Sequence, residues 1–227
     1  EEILRKNEKL TTLGLISAEI AHEIRNPLTV IKLLFQTLDL KFENKDPKSK
    51  DVELITEKIN QLETIVERVL EFGNVNNHKK TINCLNRITE ETLQLIRLKL
   101  KQLKIDIDIK KESEDLLVNA NKGQLQQVIL NLIFNSCQAL PESNGLIKIK
   151  LFQKSERAYF LITDNGHGIP KDIKAKIFDS FLTSKNDGTG LGLAISKQIL
   201  ATHRGNIKLS KSNSKGTTFE FSVPLLK

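Results

Sequence analysis

Residues 124–140 read QLQQVILNLIFNSCQAL and carry two patterns at once. Leu125, Val128, Ile129, Leu132, Ile133 and Leu140 recur mostly at steps of three and four, which gathers them on one broad face of an α-helix. Gln127, Asn131 and Asn135 follow one another by four and form a polar stripe on the same helix. A stripe facing bulk water would favour Lys and Glu, because Asn is a poor helix former whose side chain competes for backbone hydrogen bonds. The asparagines therefore read as ligand groups. A carboxamide oxygen is a hard donor, suited to Mg2+ bridging phosphate oxygens.

Working outward, the chain alternates helix and strand on both sides of this segment. Upstream lie a helix near 87–102, a strand with Ile105, Ile107 and Ile109 on one face, and a short strand at Leu116 to Val118. Downstream come strands at 146–152 and 158–163, a helix at about 191–202, and closing strands at 206–210 and 217–223. The fold class this implies is α+β, with helices over one face of a mixed sheet in a two-layer α/β sandwich.

Two glycine-rich loops interrupt the pattern. Asp164-Asn165-Gly166-His167-Gly168-Ile169-Pro170 follows the apolar strand Tyr159 to Thr163. An acid at the end of a buried strand, then two spaced glycines, suggests a carboxylate facing a pocket and a backbone that must approach something closely. An ordinary strand-ending turn uses the same residue types. Gly188-Thr189-Gly190-Leu191-Gly192-Leu193 opens a helix, where free backbone N–H groups and the helix dipole favour an anion. Neither loop reads G-x-x-x-x-G-K-[ST]. A dinucleotide fingerprint fails as well, because Lys171, Leu193 or Ile195 stands where its third small residue belongs.

The first 73 residues have a different texture. Leu13, Ile16, Ile20, Ile24, Pro27, Ile31, Leu34, Leu38 and Phe42 trace a narrow helical seam. After the polar Asn44 to Lys50, the spacing resumes at Ile55, Ile59, Leu62, Val66 and Val69. Two long helices joined by a turn cannot cover both apolar stripes, so pairing of two copies into a four-helix bundle is expected. Residues 1–73 are thus assigned to a dimerising helical hairpin, 74–80 (NVNNHKK) to a linker, and 81–227 to a second domain.

Within the first helix, His22-Glu23-Ile24-Arg25-Asn26-Pro27 sits beside the seam. His22 points away from Ile20 and Ile24, toward water or a substrate. Pro27 lacks the N–H that would bond the Glu23 carbonyl, so the helix should bend beside His22. A neutral imidazole is a competent nucleophile, and Glu23 can hold its opposite N–H. Asn26, one turn on, can reach the same incoming group; it stands where a zinc helix would need its second His, which argues against zinc hydrolysis.

Composition sets outer limits. Of 227 residues, 39% are hydrophobic and 28% charged, with 11 Gly and 5 Pro, which describes a soluble globular chain. No apolar run approaches the roughly 18 to 20 residues of a membrane helix. Cys84 and Cys137 lack metal-ligand spacing and read as packed, reduced thiols, which fits a cytoplasmic setting. The net charge of +7 comes from scattered lysines without interleaved aromatics, which argues against nucleic acid and suits a polyphosphate or an acidic partner.

In order and spacing, HEIRNP, NLIFNS, DNGHGIP, IFDSFLTSK and GTGLGL resemble the boxes of the sensor histidine kinases. Their ATP domain belongs to a superfamily shared with DNA gyrase, the Hsp90 chaperone and MutL. The resemblance spans nearly all of residues 10–223. It implies a kinase core that uses ATP and Mg2+ to phosphorylate its own His22, then passes the group to an aspartate of a response regulator receiver domain. Reverse phosphatase activity is a further expectation. Carried over, Glu23 would assist His22, and Asn26 would position water in the reverse reaction. Asn135 would hold Mg2+, and Asn131 would support the phosphates. Asp164 would bond the exocyclic amine of adenine, beside Gly166, Gly168 and Thr217. Gly188, Gly190, Leu191 and Gly192 would line the phosphates, and Phe178 to Asp187 would form a mobile lid whose Lys185 reaches the γ-phosphate. The expected pairing makes the acting species a homodimer, and membrane attachment is expected only through a region upstream of residue 1. Ser136 and Cys137 depart from the small Ala-like residues common in the family, Gln138 from its Lys, and Ser180 and Leu182 from its phenylalanine box.

Overall fold

Strand β5 (Arg157–Asp164) shows how the sequence builds the larger part of the molecule. Its inward positions Ala158, Phe160, Ile162 and Asp164 are buried, and the residues between them are half-buried. That period of two is what a strand covered on one face requires. In the computed structural model the described residues are 79–113, 115–141, 143–180 and 190–226, with residues 24, 28–33, 51, 52, 54–56, 59 and 62 nearer the N-terminus. Contacts divide the chain into two units, Glu1–Asn76 and Asn77–Lys227.

The second unit runs β1 (Thr81–Cys84), α1 (Leu85–Gln102), β2 (Asp106–Lys111), β3 (Leu117–Ala120), α2 (Lys122–Ala139), β4 (Leu146–Lys154), β5, a 3-10 turn at Lys174–Lys176, α3 (Gly192–Thr202), β6 (Asn206–Asn213) and β7 (Gly216–Pro224). Five strands form one sheet in the order β2-β4-β5-β7-β6. β2 runs parallel to β4, and the remaining pairs are antiparallel, so the sheet is mixed. Leu125, Val128, Ile129, Leu132 and Ile133 of α2 are all 0% exposed and, with the inward sheet residues, form the core. Phe160 stacks on Phe221 at 4.9 Å between ring centres. Asp164 takes the last inward position of β5, so a carboxylate closes an otherwise apolar row.

β1 is an element the sequence reading lacks, because TINC falls inside what reads as the approach to a helix. Its burial does not alternate, and it pairs only with the four residues of β3 in a separate two-stranded ladder. Without a half-buried face there is no period of two to detect.

In the first unit the described residues are helical, and Leu28 and Ile59 are each 7% exposed. Ile24, Ile31 and Leu62 are left at 44%, 50% and 47%. At about 100° per residue, Ile24 and Ile31 share one stripe, turned roughly 40° to 60° from Leu28. A single copy therefore covers Leu28, which the seam drawn from sequence omits, and leaves the Ile24–Ile31 stripe open. The bend expected at Pro27 and the turn at 44–50 lie outside the described residues. No described helix is long and apolar enough to cross a membrane.

The start of α2 is joined to the end of α3 through one histidine. Asn121 caps α2, its Oδ1 accepting from the Gln124 amide at 2.9 Å, while its Nδ2 donates to the Lys79 carbonyl at 3.2 Å. The Asn121 amide donates to His203 Nε2 at 3.0 Å, and His203 Nδ1 lies 2.7 Å from the Ile199 carbonyl. Nε2 must accept, so the ring is neutral with its proton on Nδ1. Burial holds the His203 pKa below its ordinary value; the Ile199 carbonyl opposes this, and the nearby Lys80 charge adds to it. The unfolded chain takes up this proton near pH ~6.5 while the folded chain resists it, so the contribution is complete above that pH and lost as pH falls through it. Unfolding free energy from urea titration is expected to drop between pH 7 and pH 5.5. His203→Gln, whose Oε1 can accept without titrating, should flatten the profile; an equally steep slope in that variant would contradict this role.

Candidate functional site

Asp164 is 5% exposed. A carboxylate so placed needs donors, and three elements supply them. Its Oδ1 accepts the Gly166 amide at 2.9 Å, from its own loop, and the Thr217 amide at 3.0 Å, from the start of β7. Its Oδ2 lies 3.3 Å from the Ser136 hydroxyl on α2. Thr217, itself 4% exposed, places Oγ1 at 3.4 Å from the Ser212 hydroxyl, which also accepts the Ile169 amide at 2.8 Å.

The loop after Asp164 lies against the C-terminal turn of α2. The His167 amide donates to the Ala139 carbonyl at 3.1 Å, and a Cβ at Gly166 would come within 2.4 Å of that same oxygen. No side chain fits there. Gly168 has φ +80, and a Cβ on it would meet the Asn213 carbonyl at 2.1 Å. Gly216, which the sequence reading passes over, has φ +132, and its Cβ would lie 1.9 Å from the Asp164 carbonyl. The turn-forming Lys215-Gly216 pair before an apolar strand is the one sequence signal for it.

The other end of the site lies between α2 and α3. Asn131 Nδ2 donates to the Gly192 carbonyl at 3.2 Å and approaches the Ser196 hydroxyl at 3.4 Å. That hydroxyl in turn donates to the Gly192 carbonyl at 2.8 Å. Asn135, half-buried, lies one turn further along the same face of α2. Gly190 has φ +67, and the N-cap residue Leu191 is 2% exposed and offers no side-chain bond to the helix. The first amides of α3 are thus uncapped by their N-cap side chain, the condition in which a helix start attracts an anion. From Asn131 to Ala139 the axis of α2 rises about 12 Å. A ligand touching both ends must be elongated, with a hydrogen-bonding head at Asp164 and an anionic tail at Gly192.

Among the described residues no group of three or more His, Cys, Asp or Glu could hold a metal. The donors near the tail are carboxamides, which fit Mg2+ completed by phosphate oxygens and not a soft-ligand metal. The ring of Phe178, where the expected lid begins, packs edge-on to Phe219 at 6.3 Å, and Lys197 Nζ lies 5.8 Å over it. His22, Glu23, Asn26, Lys185 and Gly188 lie outside the described residues, as do 181–189 of the expected lid.

Residues 120–227 match the family described as histidine kinase-, DNA gyrase B- and HSP90-like ATPase, and residues 12–78 match the His Kinase A phospho-acceptor domain. The signal transduction histidine-protein kinase AtoS of Escherichia coli is 35% identical over 96% of this chain and 36% of its own. The catalytic domain of histidine kinase ThkA is 34% identical over 65% of this chain and 97% of that one, with a TM-score of 0.60. ThkA in complex with the response regulator protein TrrA aligns over 99% of this chain and 65% of that one, at 30% identity and a TM-score of 0.72. The chain spans 36% to 52% of the length of the E. coli and Bacillus subtilis kinases it resembles.

Two glycines of this region should respond to alanine with opposite signs. Gly166→Ala forces the loop off the Ala139 carbonyl and is expected to cost about 1–3 kcal/mol. Gly123→Ala, in the exposed first turn of α2 where the nearest atom would be 3.5 Å away, should gain up to about 1 kcal/mol. Chemical denaturation of both variants checks the pair.

Proposed function

The chain belongs to the histidine kinase family, and on that premise we propose that it moves the γ-phosphate of Mg·ATP onto His22, then on to an aspartate of a response regulator receiver domain. The observation that carries this reading is that one helix, α2, meets both ends of the site. Its Ser136, on the core side, lies against the buried carboxylate of Asp164, and its Asn131, on the neighbouring polar stripe, lies against the start of α3.

In this reading the exocyclic amine of adenine donates to Asp164, and Gly166, Gly168 and Thr217 shape the wall around the base. Gly188, Gly190, Leu191 and Gly192 approach the phosphates, supported by Asn131. Asn135 holds Mg2+, which when bound supplies charge neutralisation on the phosphate oxygens. Lys185 adds a positive charge at the γ-phosphate. The neutral ring of His22 attacks phosphorus as the bond to the ADP oxygen breaks, and Glu23 holds the opposite ring N–H against the charge that develops. Asn26 orients water for the reverse hydrolysis of the phosphorylated receiver. Positioning does most of the work, because phosphoryl transfer asks little covalent chemistry of the protein.

The same reading divides the chain into a phosphoacceptor hairpin at 1–73, a linker at 74–80 and an ATP-binding domain at 81–227. Pairing of two hairpins covers the Ile24 and Ile31 stripe that one copy leaves open, so the acting species is a homodimer. The protein acts in the cytoplasm.

Incubation with γ-labelled ATP should give a product that is acid-labile and survives base, as a phosphoramidate does. His22→Ala should lose the label while still binding ADP. Asp164→Asn, which presents an amide N–H where an acceptor is needed, should weaken ADP by more than about tenfold. Full labelling of His22→Ala would defeat the assignment.

A further inference from the structure

Ser136 is 3% exposed in the last turn of α2. Serine there costs helix propensity, and a buried hydroxyl must find a partner. The partner it finds is Asp164 Oδ2, at 3.3 Å. The opposite oxygen, Oδ1, already accepts two backbone amides, at 2.9 and 3.0 Å. The carboxylate is thereby pinned at both ends, one oxygen by the main chain and the other by a side chain on the helix that also carries the asparagine stripe.

We propose that Ser136 is a positioning residue that sets the chain's preference for a 6-aminopurine nucleotide, by holding Asp164 Oδ2 where the base amine must donate. This deepens the adenine reading of Asp164 and rests on it. With Ser136 absent, the two amides on Oδ1 are the only restraint on rocking within the broad well of the terminal torsion, a rocking that displaces Oδ2 and its remaining lone pair. The Ser136 hydroxyl removes that freedom before the ligand arrives, which lowers the ordering cost of binding. A purine carrying a carbonyl at the 6-position sets oxygen against oxygen there. It gains nothing from the pinned carboxylate, so it should be indifferent to Ser136.

The test compares Mg·ADP with Mg·IDP, its 6-oxo counterpart, by calorimetric titration of the whole chain, in wild type, Ser136→Ala and Asp164→Asn. Alanine is the better helix former, so Ser136→Ala should fold, which thermal melting confirms. The wild type should prefer ADP, and Ser136→Ala should weaken ADP by about five- to tenfold, leaving IDP within about twofold. Equal weakening of both ligands would assign Ser136 a merely structural role and overturn the proposal. An unchanged ADP affinity would overturn it as well. If Asp164→Asn keeps the wild-type preference for ADP, the adenine reading itself fails, and the specificity role of Ser136 fails with it. If Asp164→Asn abolishes the preference while Ser136→Ala leaves it intact, only the role of Ser136 fails.

Discussion

The carboxylate of Asp164 accepts hydrogen bonds from its own loop, from the start of β7 and from the last turn of α2, all while 5% exposed. Burying such a group is costly unless each lone pair finds a donor, so the three elements that provide them are fixed relative to one another. Gly166 and Gly216 follow from the same constraint. The loop can return to the Ala139 carbonyl, and β7 can begin beside the Asp164 carbonyl, only where no side chain intervenes. Apolar packing of α2 on the sheet then holds the helix at the depth that the Ser136 contact requires.

α2 is shared by both halves of the site. Its inward face is core, its C-terminal turn receives the loop after β5, and its asparagine stripe lies against the first residue of α3. α3 is tied back to the start of α2 by His203 and Asn121. The polar contacts thus join these helices at the start and at the end of α3. Asn121 in turn holds the Lys79 carbonyl, which precedes β1.

Much of this was legible in the sequence. The steps of three and four from Leu125 to Ile133 and the alternation through Phe160 and Ile162 each report a buried face, because burial imposes the period of the element. Asp164 and its two glycines were legible for a related reason: few residue types can end a buried strand and turn so closely. The bond from Ser136 to Asp164 was not, since it joins residues 28 apart and depends on how deep α2 sits. β1 was hidden because a short strand with one short partner has no periodic face. That one copy buries Leu28 and leaves Ile24 and Ile31 open was not legible, because all three are apolar. Only the packing partner shows which of them a single copy buries.

A crystal structure of the chain with Mg2+ and a non-hydrolysable ATP analogue tests the central claim most directly. The adenine amine should lie within hydrogen-bond distance, about 3 Å, of Asp164 Oδ2, with the phosphates at the start of α3 and the metal on the α2 face at Asn135. A nucleotide bound elsewhere, or one whose base is turned away from Asp164, would contradict it.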